Sequence, residues 1–123
     1  MPKFTLAFNI NITNEERLEL LDLYQRAFGA KKLSQEGEDI HIMMEIFGTG
    51  ILIGPGSEDC KCSNNKIICE ARFEDEKDFR IAYDALIEEG QNYSLEGPYP
   101  WATLLGLVTD KFGIGWALYY NEN

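Results

Sequence analysis

The chain repeats one order of elements at half its own length, and few folds accommodate such a pattern. Phe4, Leu6, Phe8, Ile10 and Ile12 alternate with Thr5, Ala7, Asn9 and Asn11. Period two over nine residues marks a strand with one apolar face. Thr13-Asn14-Glu15-Glu16 follows. The Thr13 hydroxyl is placed to accept from an early helical N–H while Glu16 reaches back, which is a capping box. Leu18, Leu21, Tyr24 and Phe28 then recur at helical spacing, with Leu20 and Ala27 beside them, and Gly29 is suited to the left-handed residue that ends a helix. The second half opens the same way. Ile67, Cys69, Ala71 and Phe73 form one strand face and Ile68, Glu70 and Arg72 the other. Asp75 caps a helix carrying Phe79, Ala82, Tyr83 and Leu86, which stops at Gly90. Gly29 and Gly90 are 61 residues apart, and so are Ile12 and Phe73.

Three further strands are expected after each helix. In the first half they are Lys31–Ser34, Asp39–Phe47 and Ile51–Gly54, with Gly48-Thr49-Gly50 as a turn. In the second they are Asn92–Glu96, Ala102–Thr109 and Ile114–Tyr120, turning at Asp110-Lys111-Phe112-Gly113. Glycine-containing loops of three or four residues suit hairpins. Each half therefore reads βαβββ. We expect one domain over 1–123, with a first module at about 1–56, a polar linker at about 57–65 and a second module at about 66–123.

Charge and cysteine usage narrow the function classes. Acidic residues outnumber basic ones 21 to 11, and the only adjacent basic pair is Lys31-Lys32. Nucleic-acid binding needs basic clusters to meet phosphates, so none is expected. No apolar run approaches the roughly 20 residues that span a bilayer, and no signal peptide is visible, so no membrane association is expected. The three cysteines, Cys60, Cys62 and Cys69, are odd in number and favour free thiols in a reducing compartment, the cytoplasm. Cys60-Lys61-Cys62 with Cys69 supplies three of the four ligands a structural zinc site takes, so we read reduced thiols.

Three stretches resemble a known family. Phe8-Asn9 closes the first strand, Tyr24-Gln25-Arg26-Ala27-Phe28-Gly29-Ala30 resembles a helix-ending Tyr-x-x-x-Phe-Gly-Ala, and one longer run is more specific. Trp101, Gly106, Val108, Asp110, Phe112, Gly113 and Trp116 match W-G-x-x-x-G-x-V-x-D-P-F-G-H-x-W without a gap, with Ala102, Lys111 and Ile114 as departures. The chain thus resembles the PhnB-like branch of the vicinal oxygen chelate superfamily, which includes glyoxalase, bleomycin-resistance proteins and dioxygenases. The resemblance implies an α+β fold: two βαβββ modules forming an open, U-shaped, eight-stranded mixed sheet, helices on the outer face and a cavity on the concave side. It also implies homodimers.

Catalytic members of that superfamily hold a divalent metal with four His or Glu side chains. Carried over with the offset between halves, those positions fall near Ala7, Gly54, Ile68 and Ala117, none of which binds a metal. We therefore expect no metal and no cofactor. His41, the only histidine, shares a strand face with Met43 and Glu45. His41 and Glu45 are roughly 13 Å apart along a strand, too far to hold one ion together. His41 is either a hydrogen-bonded strand residue or a polar group or proton carrier lining a cavity.

Strand parity supplies the remaining candidates. If the apolar faces of the first and fifth strands pack on helices, Asn9, Asn11, Glu70 and Arg72 lie on the other face. Arg72 suits a carboxylate, unless Glu70 neutralises it. Gly97-Pro98-Tyr99-Pro100-Trp101 is a stiff loop whose Tyr99 and Trp101 offer flat apolar surfaces, either to a ligand or to a hydrophobic seam. Tyr119 shares parity with Ala117, while Trp116 and Leu118 pack under the helices. Three functions remain open: a metal-free protein binding a small, partly apolar molecule; a lyase- or oxygenase-type enzyme with a non-standard metal site or none; and a dimeric interaction module whose cavity its own side chains fill. No catalytic residue is assigned.

Overall fold

The two periodicities resolve into strands and helices in the computed structural model, which describes residues 2, 6–10, 12–36, 41–55 and 67–122. The order is β1 (Leu6–Ile10), α1 (Asn14–Phe28), β2 (Lys31–Glu36), β3 (His41–Ile46), β4 (Thr49–Pro55), β5 (Cys69–Phe73), α2 (Glu76–Ile87), β6 (Gln91–Glu96), β7 (Leu104–Thr109) and β8 (Gly115–Tyr120). The chain divides into two units, the first holding β1–β4 with α1 and the second β5–β8 with α2. The eight strands form two four-stranded sheets, ordered β1-β4-β3-β2 and β5-β8-β7-β6. In each, the first strand runs parallel to the last and the other pairings are antiparallel. The expected α+β architecture of two βαβββ modules is therefore present.

Local chemistry explains the element ends. The Thr13 hydroxyl accepts from the Glu16 N–H at 3.1 Å and a Glu16 carboxylate oxygen accepts from the Thr13 N–H at 3.0 Å, which closes the capping box. Gly29 adopts φ 67°, and its N–H donates to the Gln25 carbonyl at 2.9 Å. The second helix differs from expectation. It ends at Ile87, and Glu89, not Gly90, takes the left-handed conformation with φ 59°. Gly90 is required for space instead: a Cβ there would lie 2.6 Å from the Leu86 carbonyl oxygen. The first hairpin turns at Phe47-Gly48, with φ 48° and 85°, so both central residues are left-handed as in a type I′ turn. Thr49 and Gly50, expected in that turn, pair with Ile46 and Glu45.

Each sheet buries one face against its helix. In the first unit Ile42, Met44 and Ile53 have no exposed surface beneath Leu20 and Tyr24, and Phe8 meets Tyr24 edge-on at 6.5 Å between ring centroids. Full burial of each such side chain contributes about 1.5–3 kcal/mol. Leu18, expected on the buried stripe, is 42% exposed, because Arg17, Leu20, Leu21 and Tyr24 already fill the inner face. In the second unit the bulk lies on the helix. Phe79 stacks on Tyr83 at 6.2 Å and meets Phe73 edge-on at 6.0 Å, and both helix rings lie against Gly106 of β7.

Candidate functional site

The turn after β7 accounts for the most specific sequence motif. Asp110 is buried, and its carboxylate accepts from the Phe112 N–H at 2.9 Å, the Ile114 N–H at 3.1 Å and the Trp116 indole N–H at 3.0 Å. Gly113 takes φ 85° to complete the loop. These motif residues close a hairpin. The nearby Cys69 thiol is pushed up to about 11 by its own burial and, less, by the Asp110 charge, so it stays protonated at neutral pH and is a poor nucleophile. Cys60 and Cys62 lie outside the described residues.

Strand register gathers several predicted residues on the helix-free face of the second sheet. Arg72 pairs with Tyr119, Tyr119 with Leu105, and Leu105 with Glu96. Directly beside that row, Glu70 pairs with Ala117, Ala117 with Leu107, and Leu107 with Ser94. Cross-strand partners share a face, so this face carries a polar cluster at one edge, a leucine and alanine floor, and a second polar cluster at the other edge.

The first cluster is Glu70, Arg72 and Tyr119. The Tyr119 hydroxyl donates to the Glu70 carboxylate, which raises the phenol above its ordinary pKa; burial adds to the shift. The Arg72 guanidinium lies 4.8 Å from the centroid of the Tyr119 ring. It approaches a Glu70 oxygen at 3.9 Å, an exposed contact that contributes about 0–1 kcal/mol and leaves donors for a ligand.

The second cluster joins the aromatic loop to β6. The Tyr99 hydroxyl donates to one Glu96 oxygen at 2.7 Å and the Ser94 hydroxyl to the other at 2.7 Å. These two bonds, Tyr99 first, hold the Glu96 carboxyl below its usual range. Tyr99 and Trp101 stack at 4.8 Å with 4° between their planes. Ser94 and Glu96 were not singled out from sequence. Their signal is alternation in Gln91–Glu96 immediately before the Gly-Pro-Tyr-Pro loop, which aims both along one face.

The first unit's helix-free face is barer. His41, Met43 and Glu45 share it, as their parity requires, and His41 is exposed, with its Cδ2 3.9 Å from where a Cβ on Gly54 would stand. Asn9 sits in β1 beside Gly54 in register. Asn11 lies outside the described residues.

Aligning the halves from the first residues of β1 and β5 gives a second match beside Ile68 and Ala117. Ala7 pairs with Leu52 as Glu70 pairs with Ala117, and Asn9 pairs with Gly54 as Arg72 pairs with Tyr119. On that alignment Ala7 matches Glu70 and Gly54 matches Tyr119. Of these matched positions only Glu70 is a common metal ligand, and its carboxylate is already engaged by Tyr119. Among the described residues no three His, Cys, Asp or Glu side chains group closely enough to hold a metal ion.

Solved structures place this geometry among known folds. A PhnB protein from Bacillus cereus superposes with a TM-score of 0.80 at 18% identity, over 98% of this chain and 100% of that one. The chain has the glyoxalase/bleomycin-resistance fold. The fosfomycin resistance protein FosX from Listeria monocytogenes shares this fold with a TM-score of 0.68 at 13% identity, over 99% of this chain and 94% of that one. A glyoxylase/bleomycin resistance protein/dioxygenase domain from Frankia sp. does so with a TM-score of 0.62 at 11% identity, over 99% and 97%. No protein-family model matches the sequence, and no curated protein matches it. Among the described residues no helix is long and apolar enough to cross a membrane.

Proposed function

We propose that this chain is a metal-free protein of the glyoxalase fold that binds a small, partly apolar molecule on the helix-free face of its second sheet. The observation that carries this reading is the make-up of that face. Arg72 and Tyr119 stand at one edge, Ser94 and Glu96 at the other, and Ala117, Leu105 and Leu107 between them. A few placed polar groups around an apolar floor are what a small-molecule site requires. At the positions matched by register, Ala7 and Gly54 offer no donor atoms, and Glu70 is committed to its neighbours. A divalent cation needs several oxygen or imidazole ligands at once, which this set does not supply.

We infer further that residues 1–123 act as one domain, that the protein pairs as a homodimer, and that it works in the cytoplasm, as free cysteines and an acidic surface favour. Native mass spectrometry of untagged, freshly purified protein tests the reading. A dimer free of metal, retaining a small organic molecule or accepting one, is the expected result. Stoichiometric metal that survives dialysis sinks the metal-free reading in favour of an enzyme.

A further inference from the structure

Trp101 is 60% exposed, yet it is not a loose surface ring. One of its faces is stacked on Tyr99, at 4.8 Å and 4° between planes. Tyr99 is fixed in turn by its hydrogen bond to Glu96, and Ser94 fixes the opposite Glu96 oxygen. The backbone is closed by a pair of bonds, Tyr99 N–H to the Ala102 carbonyl at 2.7 Å and Ala102 N–H to the Tyr99 carbonyl at 3.2 Å. Ala102 has no exposed surface, and Pro98 and Pro100 flank Tyr99 and stiffen the loop. The indole is therefore held with one covered face and one presented to solvent. A ring ordered in advance costs little further entropy when a second planar group stacks on it.

The charge around the stack selects what that group is. The carboxylate of Glu96 accepts from the Tyr99 hydroxyl at the edge of the stack. The loop from Gly97 to Thr103 carries no basic residue, and the whole chain has a formal charge of −10. Among the described residues, cations sit over Tyr119 and Phe112, and none is recorded over Tyr99 or Trp101. An aromatic face stacked on a phenol whose hydroxyl is held by a carboxylate, in a chain of formal charge −10, attracts a weakly hydrated cation and disfavours an anion.

The geometry points to the open face of Trp101 as a stacking site for a planar organic cation, a heteroaromatic ring bearing a delocalised positive charge. This rests on the small-molecule-binding reading above and narrows its ligand class. Neutral aromatics stack on the same ring without the Coulombic part. A cation–π contact at an exposed site amounts to a roughly two- to fivefold preference for the charged form.

The test uses two probes of one shape, N-methylquinolinium and neutral quinoline, at pH 8 and low salt. The protein has two indole N–H resonances, and that of Trp116, bonded to buried Asp110, is the internal reference. We expect the Trp101 resonance to shift to saturation with N-methylquinolinium and the Trp116 resonance to stay. We expect quinoline to bind about two- to fivefold more weakly, and Glu96→Gln, which keeps the shape of the clamp, to narrow that gap. Equal binding of the two probes, a non-saturating response, or unchanged affinity in Trp101→Ala overturns the proposal. Trp101→Phe keeps a ring and shows whether loss in the alanine variant reflects a collapsed loop: retained cation preference supports stacking, while loss in both variants with the Trp116 resonance displaced counts against it. Tightly held metal would sink the metal-free reading and leave the Trp101 response intact, so the two failures are distinguishable.

Discussion

The two units share topology and register but place their bulk oppositely. Aligned from the first residues of β1 and β5, Phe8 and Ile42 of the first sheet stand where Ala71 and Gly106 stand in the second. At these positions the first sheet brings large side chains to its helix, whereas in the second the helix brings Phe79 and Tyr83 to the space over Gly106, beside Phe73. The helix-free faces show the reverse. Ala7 and Gly54 are small where Glu70 and Tyr119 are large and polar. A duplicated backbone thus tolerates opposite distributions of volume, provided each interface still fills to close-packed density.

Substitutions can break or sharpen this comparison. The largest effect is expected at Ile42, which has no exposed surface. Ile42→Ala removes buried sheet volume beneath an inner helix face that is already packed, at a cost of about 2–5 kcal/mol. Urea unfolding reads it, and a loss under about 1 kcal/mol would mean that the first unit repacks as the second does. The mirror substitution, Gly106→Ala, puts a Cβ 2.7 Å from a Tyr83 ring carbon. We expect overpacking to cost about 1–3 kcal/mol, with faster hydrogen exchange confined to the second unit. A stable Gly106→Ala protein would show that the ring stack slides freely.

Helix starts give a smaller contrast. Thr13 takes part in a reciprocal box, whereas Asp75 accepts a single bond from the Lys77 N–H at 2.8 Å. Alanine at either site should cost about 1 kcal/mol, and more at Thr13 because Glu16 also loses its anchor. Equal losses would deny the box any advantage.

The smallest expected effect is electrostatic and belongs to the second unit alone. The Tyr119 phenol is raised by its bond to Glu70. Its contribution is thus fully present below the ordinary tyrosine pKa and is lost as pH rises through the folded value. Ultraviolet titration should show several late-ionising tyrosines, since Tyr83, Tyr99 and Tyr120 are raised as well, and Glu70→Gln should return one of them toward the ordinary value. Glu96 has the opposite sign. Its carboxyl is lowered by Tyr99 and Ser94, so the clamp holds at neutral pH and loosens only as acid protonates it, below the ordinary carboxylate range.

Legibility followed the range of each interaction. The capping box at Thr13, the left-handed Gly29 and the opposite faces of β5 involve residues two to four apart, so the residue order displays them directly. The Asp110 motif was visible as a pattern, but its purpose, tying Trp116 and two turn amides to one carboxylate, needed coordinates. Aligned from their first residues, β1 and β5 match at an offset of 63 and β4 and β8 at 65, whereas the helix-ending Gly29 and Gly90 are 61 apart. Turns of different length absorb such differences without any mark in the strand pattern.

What the sequence determined alone was the order of elements, their caps and the face each strand residue takes, because steric periodicity and capping are settled within a turn or two of chain. What only the tertiary structure decided was which faces' residues meet. Glu96 is joined to Arg72 through three cross-strand pairings, and Gly106 proved to be the space that Phe79 and Tyr83 occupy. Register and packing depend on partners distant in the chain, and their free energy comes from excluding water and filling volume between elements rather than from any local preference.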